Sequence, residues 1–307
     1  MKTLRRALAL AAALTLVAST TVTPAFVIAA GGSDWAACQP DDAAWSAMAR
    51  SGPDKAGREK DTGQTSTALP ARARGQAPPD FSATVPVWFH VITDGDLGNL
   101  SDRDIRAQIR AINAGFAGRE GGFNSGFSFE LAGITRTDNA RWYASRSGGA
   151  EREMKQALKQ GGDETLNVYS TSGGFYLGWA YLPSITDTNQ SYLDGIVIDW
   201  RTVPGASDAY DGRYDEGDTL THEAGHWLNL EHTFYGGCNN TGDYVDDTPS
   251  EKSPAFGCPE GRDTCTAPGL DPIHNYMDYS DDPCLTEFTA GQAQRMADSW
   301  LFYRAPA

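Results

Sequence analysis

Apolar residues recur along this chain in two rhythms, and together they predict alternating strands and helices. Residues 83–93, ATVPVWFHVIT, are largely apolar and read as a strand. Ser101 follows as a helix cap, with Asp104 at the three-residue spacing of a reciprocal capping box. Ile105, Ile109, Ile112 and Phe116 then return every three or four residues and mark the core face of that helix. Residues 127–135 alternate around Phe129, Leu131 and Ile134 and predict a second strand. A short helix is expected over 151–159, with strands over 166–169, 178–182 and 195–200. A helical period resumes after Asp218 or Thr219, either of which would cap it, and places Leu220, Ala224, Trp227, Leu228 and Leu230 in the core. A last helix follows Thr289, with Ala293, Met296, Ala297, Trp300 and Leu301 along one face. Helices crossing between strands predict an α/β (α+β) domain over 81–307.

The ends and the charge narrow the picture. Lys2, Arg5 and Arg6 precede a run of mostly Ala, Leu and Val over 7–18, and small residues stand at Ala29 and Ala30, the layout of a secretory signal over 1–30. The run is too short and alanine-rich for a membrane span, so export without a stable anchor is expected. Residues 31–80 are polar and rich in Pro, Gly and Ala; they read as a propeptide ending in a linker, ARARGQAPPD, which Arg72 and Arg74 make cleavable. The net charge is −15, and losing Lys2, Arg5 and Arg6 takes it to −18, which argues against nucleic acid as a partner. GGFNSGF and STSGGF lack the residues of a phosphate-binding loop and read as turns. No heptad repeat argues for an oligomer, so a monomer is expected.

The chemistry concentrates in HEAGHWLNLEH, from His222 to His232. His222 and His226 stand four apart, so a helix projects both imidazoles from one face. Asn229 can take the left-handed conformation that ends a helix and turns the chain back, which would bring in His232. Three neutral imidazoles leave the fourth position of a tetrahedral Zn²⁺ for water, and Glu223 is the natural general base beside it. The bland reading, an amphipathic helix with incidental histidines, must explain why three of the chain's five His fall at this spacing. Four of the five cysteines, Cys238, Cys258, Cys265 and Cys284, lie in a loop-rich stretch short of apolar residues. In an exported chain they read as two disulfides of three alternative pairings, each adding about 3 kcal/mol by loop closure.

HExxH-xx-[G/N]-xx-H is the zinc signature of the metzincin metallopeptidases. The flanking HEAGHWLNLEHTFYGGC, GDYVDDTP, GCP, DPIHNYMDY and FTAGQAQRM resemble the pappalysin (cytophagalysin) family of secreted metzincins. Asn229 departs from the glycine usual there. The resemblance implies a metzincin-type fold: a twisted mixed sheet with helices over 81–232, then a loop-rich, disulfide-stapled part over 233–307 that carries a methionine turn at Met277. It implies the pairings Cys238–Cys265 and Cys258–Cys284. It also gives Tyr279 the role of stabilising the tetrahedral oxyanion and makes Met277 the apolar floor beneath the histidines. Asp278 and His274 are read as orienting the ligands, with a surface loop the equal alternative for His274. Calcium is expected at Asp243, Asp246 and Thr248 in the oxygen-rich GDYVDDTP loop. Cys38 is the candidate for a cysteine switch that fills the fourth zinc position. The segment GGFYLGWAYLPS resembles the edge strand along which relatives lay an extended substrate. Asp281 and Asp282, after the methionine turn, raise an Arg preference after the scissile bond.

The expected function is a secreted zinc endopeptidase made as a zymogen. The alternative within hydrolases is action on a non-protein amide or a cell-wall peptide. A binding module with a degenerate site is disfavoured, because the three histidines, Glu223 and Tyr279 are all present.

Overall fold

The computed structural model describes residues 59, 60, 62, 64, 68–144, 148–239 and 242–306, all within one contact unit. The expected signal at 1–30 and Cys38 lie outside the described residues. Along the chain come β1 (Ala83–Thr93), α1 (Asp102–Phe116), β2 (Phe127–Asp138), α2 (Ala140–Tyr143), α3 (Gly148–Leu158), β3 (Leu166–Thr171), β4 (Gly178–Ala180), β5 (Ile196–Asp199), α4 (Asp218–Trp227) and α5 (Ala290–Tyr303). The five strands form one mixed sheet in the order β2-β1-β3-β5-β4. Only β4, at one edge, runs antiparallel to its neighbour.

Alternation along the strands decides which helix covers which face. Val85, Val87, Phe89 and Val91 of β1, Leu166 and Val168 of β3, and Ile196 and Ile198 of β5 join one cluster with residues of α1, α4 and α5. Ile92, Tyr169 and Val197, out of phase with those, pack with Met154 of α3 and Trp179 of β4. Both faces are therefore covered, as a mostly parallel sheet requires. The second face also buries polar groups. His90 is fully buried, its ring 4.6 Å from that of Tyr169, with Nδ1 2.7 Å from Thr135 Oγ1 and Nε2 3.0 Å from Asn167 Oδ1.

The expected elements are present, with instructive differences. The Ser101–Asp104 box caps α1, and a Thr289–Gln292 box caps α5. Strand β2 runs on to Asp138, and a bulge opposite Val87 and Trp88 shifts its register from Leu131 to Gly133. That extra residue explains why Leu131 and Ile134 stand three apart and still read as one strand. Gly133 faces Trp88 so closely that a Cβ would lie 2.4 Å from the indole. Helix α4 is capped by neither Asp218 nor Thr219. Its N-cap is Gly217, at φ 103°, and the capping carboxylate comes from Asp282, whose Oδ2 accepts from the Glu216 and Asp218 amides at 2.9 and 3.4 Å. Leu301, expected in the core, is 42% exposed; Trp300 and Arg304 take the buried positions of that last turn.

The stretch from 233 to 288 holds together by cross-links more than by apolar packing. Disulfides join Cys238 to Cys265 and Cys258 to Cys284. Arg262 Nη1 bridges Glu251 and Asp271 at 2.7 and 2.6 Å. The linker residues 75–77 are docked: the Asp298 carboxylate of α5 accepts from the Gly75, Gln76 and Ala77 amides at 2.6–2.8 Å.

Candidate active site

Helix α4 carries His222 and His226 on one face and ends where Asn229 adopts φ 81°. The Leu230 amide donates back to the Gly225 carbonyl at 2.9 Å and the Asn229 amide to that of His226 at 2.8 Å, a Schellman closure that reverses the chain. The reversal delivers His232. The Nε2 atoms of His222, His226 and His232 then stand 3.1, 3.1 and 3.3 Å apart. Nitrogens about 2.0–2.1 Å from a tetrahedral zinc would be about 3.3–3.4 Å from each other, so the triangle fits that ion. Second partners fix two of the rings. His222 Nδ1–H donates to the Tyr276 carbonyl at 2.5 Å and His226 Nδ1–H to that of Leu230 at 2.8 Å, which leaves the Nε2 lone pairs facing inward. The His232 ring stacks on Phe234 at 4.6 Å.

Glu223 is 2% exposed, and its Oε2 has no hydrogen-bond partner among the described residues. Burial pushes its carboxyl well above the ordinary range, and the neighbouring Glu59 carboxylate adds to the effect. Gly178 of the edge strand lets the backbone pass close by: a Cβ there would lie 2.9 Å from Glu223 Oε1. An open recess of about 340 Å³ adjoins His222 and Glu223 and is walled by Asp218, Tyr279, Asp282 and Leu285. Burial, then the charges of Asp282, Glu120 and Glu216, raise the Asp218 carboxyl well above its usual value.

Met277 is fully buried beneath the helix, and a Cβ on Gly225 would lie 2.4 Å from its Sδ. The turn that carries it is tied to α5 by a paired amide contact, Asn275 with Gln292, at 2.8 and 2.9 Å. Tyr279 is buried with its ring 4.9 Å from that of His232 and 5.8 Å from that of His222. Of the two residues expected to orient the ligands, Asp278 adjoins Tyr279, and His274 takes the surface-loop alternative. Asp278 Oδ1 accepts from the Ala255 and Tyr279 amides and so holds the tyrosine. His274 Nδ1–H donates to the Cys284 carbonyl at 2.7 Å, and its Nε2 faces Glu260. Backbone carbonyls of Tyr276 and Leu230 do the orienting, and side-chain identity carries no signal for them. Asp243, Asp246 and Thr248 line a separate recess, where Thr248 Oγ1 donates to both Asp243 oxygens at 2.8 Å. Asp247 instead accepts from Thr289 Oγ1 and the Gly291 amide at the start of α5. Sequence reading missed Glu59. Its Oε2 stands 2.7, 3.3 and 3.8 Å from Nε2 of His232, His226 and His222.

Known proteins resemble this chain in sequence and fold. The peptidase family M43 profile, described as pregnancy-associated plasma protein-A, matches residues 206–300, from before α4 into α5. An extracellular metalloprotease of Arthroderma benhamiae is 44% identical over 230 residues, 73% of this chain and 74% of the relative. That of Pyricularia oryzae is 46% identical over 228 residues, 72% and 76% of the two chains. The chain belongs to the pappalysin family of metzincin metallopeptidases. Mature mirolysin of Tannerella forsythia, solved with a cleaved peptide, superposes with a TM-score of 0.62 at 30% identity, covering 71% of this chain and 91% of that one. A promirolysin mutant superposes with a TM-score of 0.63 at 28% identity, covering 76% and 83%. The protein is thus a metalloendopeptidase with the metzincin fold, and like its extracellular relatives it is secreted. Zinc is the metal this family implies, and the three-histidine triangle fits it.

Proposed function

We propose that the protein is made as a zymogen, with 31–80 as the pro-region, and that the mature form hydrolyses peptide bonds with Glu223 as general base. The observation that carries the reading is the buried Glu223 carboxylate, with one oxygen unpartnered, set one residue from His222 and facing the same opening. When bound by His222, His226 and His232, zinc supplies an acidified water and polarises the scissile carbonyl. Glu223 accepts the proton of that water and passes it to the leaving amine, and the raised affinity of its carboxyl for protons suits both transfers. Tyr279, held by Asp278 and packed beside His232, donates from its hydroxyl to the tetrahedral oxyanion. An extended substrate pairs with the edge of β4, whose Gly178 leaves room over Glu223.

The two carboxyl groups on the wall of the recess, Asp218 and Asp282, offer acceptors to a basic side chain next to the scissile bond. Asp281 is not among the residues lining it. Ca²⁺ at Asp243, Asp246 and Thr248 would offset the burial that pushes the Asp243 carboxyl up to about 7. No helix among the described residues is long and apolar enough to cross a membrane. On the proposed reading the protein acts as a monomer on protein or peptide substrates. The test is casein hydrolysis by the processed protein against Glu223→Ala, each with and without a zinc chelator. Loss of activity in both arms, with zinc retained in the variant, is the expected result. An inactive processed wild type would favour the non-protein amide or cell-wall substrate.

A further inference from the structure

We propose that α5 carries a binding site for an α-ammonium group: processing between Arg74 and Gly75 gives the mature chain an N-terminus whose charge the buried Asp298 carboxylate holds. The proposal rests on the zymogen reading of the chain and names the bond that processing cuts. Its first support is a buried acid whose partners among the described residues are all neutral. Asp298 is 3% exposed and lies within α5. The Gly75 amide donates to Oδ2 at 2.6 Å, the Gln76 and Ala77 amides to Oδ1 at 2.8 Å each, and the Gln294 side-chain amide to Oδ1 at 3.1 Å. A buried carboxylate is costly unless hydrogen bonds or an opposite charge offset it. Here the hydrogen bonds come mostly from one short segment, and the shortest of them comes from the residue that follows Arg74.

The second support is the exposure of the bond itself. Arg74 and Gly75 are both exposed, and a Cβ added at Gly75 would meet nothing within 4 Å. The bond after Arg72 is less open. The Arg72 guanidinium lies 5.2 Å over the Phe302 ring, and Ala73 is 2% exposed with its amide donating to the Pro70 carbonyl at 2.8 Å. An arginine-specific endopeptidase of the trypsin kind would add water across Arg74–Gly75. The C–N bond breaks, Arg74 leaves with the new carboxylate, and the Gly75 nitrogen becomes an ammonium already 2.6 Å from Asp298 Oδ2. The neutral hydrogen bond thereby becomes a charge-assisted one, about twice as strong. Gly75 is exposed, so the other N–H groups of the ammonium keep their water and little desolvation opposes the gain. Helix α5 passes the hold on to the site. Arg295 Nε donates to the Asn229 carbonyl at 2.8 Å and Arg304 Nε to that of Trp227 at 3.1 Å, so α5 clasps the chain where the histidine-bearing helix ends.

The experiment uses the full-length chain carrying Glu223→Ala, loaded with Zn²⁺ and cut by limited trypsin treatment. Mass spectrometry reads the new terminus, which should be Gly75. Acetylation of that amine near pH 7, followed on its own peptide, should run about tenfold more slowly than in the free peptide GQAPPD, because an amine paired with a carboxylate stays protonated. Asp298→Asn keeps the shape of the side chain and removes its charge. It should restore the free-peptide rate, and it should lower the melting temperature by about 3 °C more in the cut chain than in the uncut one. A terminus at any other residue, or acetylation as fast as in the free peptide, would overturn the site; so would an equal loss of melting temperature in the two forms. The comparison with the free peptide needs no variant, so it decides the matter even if Asp298→Asn fails to fold. An uncut chain with Glu223 intact that hydrolyses casein as fast as the cut one would instead sink the zymogen reading.

Discussion

Gly225 lies in the last turn of the helix that carries His222 and His226, and replacing it with alanine sets two effects of known size against each other. In an ordinary helix interior the change stabilises by about 1 kcal/mol, because alanine loses less backbone entropy. Here the new Cβ would stand 2.4 Å from Met277 Sδ, 3.3 Å from its Cε and 3.5 Å from Leu230 Cδ1. Met277 is fully buried, so its sulfur can move only by displacing packed neighbours. Overpacking of that kind costs about 1–3 kcal/mol, and so close an approach belongs at the upper end. The net expectation is a loss of about 2 kcal/mol. Met277→Ala alone should cost about 2–5 kcal/mol as a cavity, but in that background Gly225→Ala should become neutral or stabilise by about 1 kcal/mol. Urea unfolding of the four zinc-loaded proteins, all carrying Glu223→Gln to prevent self-digestion, measures the cycle. The Tyr276 carbonyl that orients His222 is one residue from Met277, so Gly225→Ala should also speed zinc transfer to a chromophoric chelator. The reasoning fails if Gly225→Ala stabilises the parent, or if it costs the same whether or not Met277 is present.

Two further perturbations probe groups remote from the metal. Burial holds the His90 pKa below its ordinary value although Asn167 pulls the other way, so the folded chain refuses a proton that the unfolded chain accepts. Stability should therefore fall as pH drops below about 6.5, toward a limiting slope of about 1.4 kcal/mol per pH unit from this one group. His90→Gln should flatten that slope in urea midpoints measured at pH 7.5, 6.0 and 5.0, and an unchanged difference between variant and parent would refute the assignment. Asp194 is fully buried between Arg304, at 2.9 and 3.2 Å, and the Trp227 indole N–H, at 3.0 Å. Asp194→Ala should cost about 3–5 kcal/mol by stranding the guanidinium, and Asp194→Ala with Arg304→Met should recover most of it in thermal melts; equal losses in the two variants would count against the pair.

How far a feature was legible in the sequence depended on how local its cause is. The histidine spacing, the Asn229 turn, the capping box at Ser101 and the cap at Thr289 act within four residues or so, and the order of residues alone exposes them. The α4 cap was read wrongly because its carboxylate comes from Asp282, 64 residues away, and the nearer Asp218 is itself turned into the recess. Leu301 kept the helical phase of α5 but sits where the last turn passes the edge of the core, and phase says nothing about what lies opposite. The buried polar face was invisible for the same reason. Lys155, fully buried, donates to the Leu193 and Gly195 carbonyls at 2.7 and 3.2 Å, yet in a hydropathy pattern it marks an exposed position. Glu59 stands in a stretch without periodicity, so only the folded chain brings it to the histidines.

The segment before β1 is held at two ends by unlike means, and the difference fits an activation step. At residue 59 the hold is one carboxylate against the three histidines, with pairing to Gly178 and side-chain anchors at Lys60 and Gln64. At residues 75–77 it is three backbone amides on one buried carboxylate, Asp298, of the terminal helix. The first hold depends on the tether, because each of its contacts is exchangeable with water once the peptide can diffuse away. The second does not, because Gly75, Gln76 and Ala77 continue directly into β1 and stay covalently part of the domain. A cut at Arg72 or Arg74 falls between the two. It would free Glu59 from the histidines while leaving α5 clamped, and α5 in turn holds the methionine turn through Gln292 and Asn275. On the zymogen reading proposed above, the histidine triangle would then keep its floor through activation, and removal of the preceding segment would not remake the site that it uncovers.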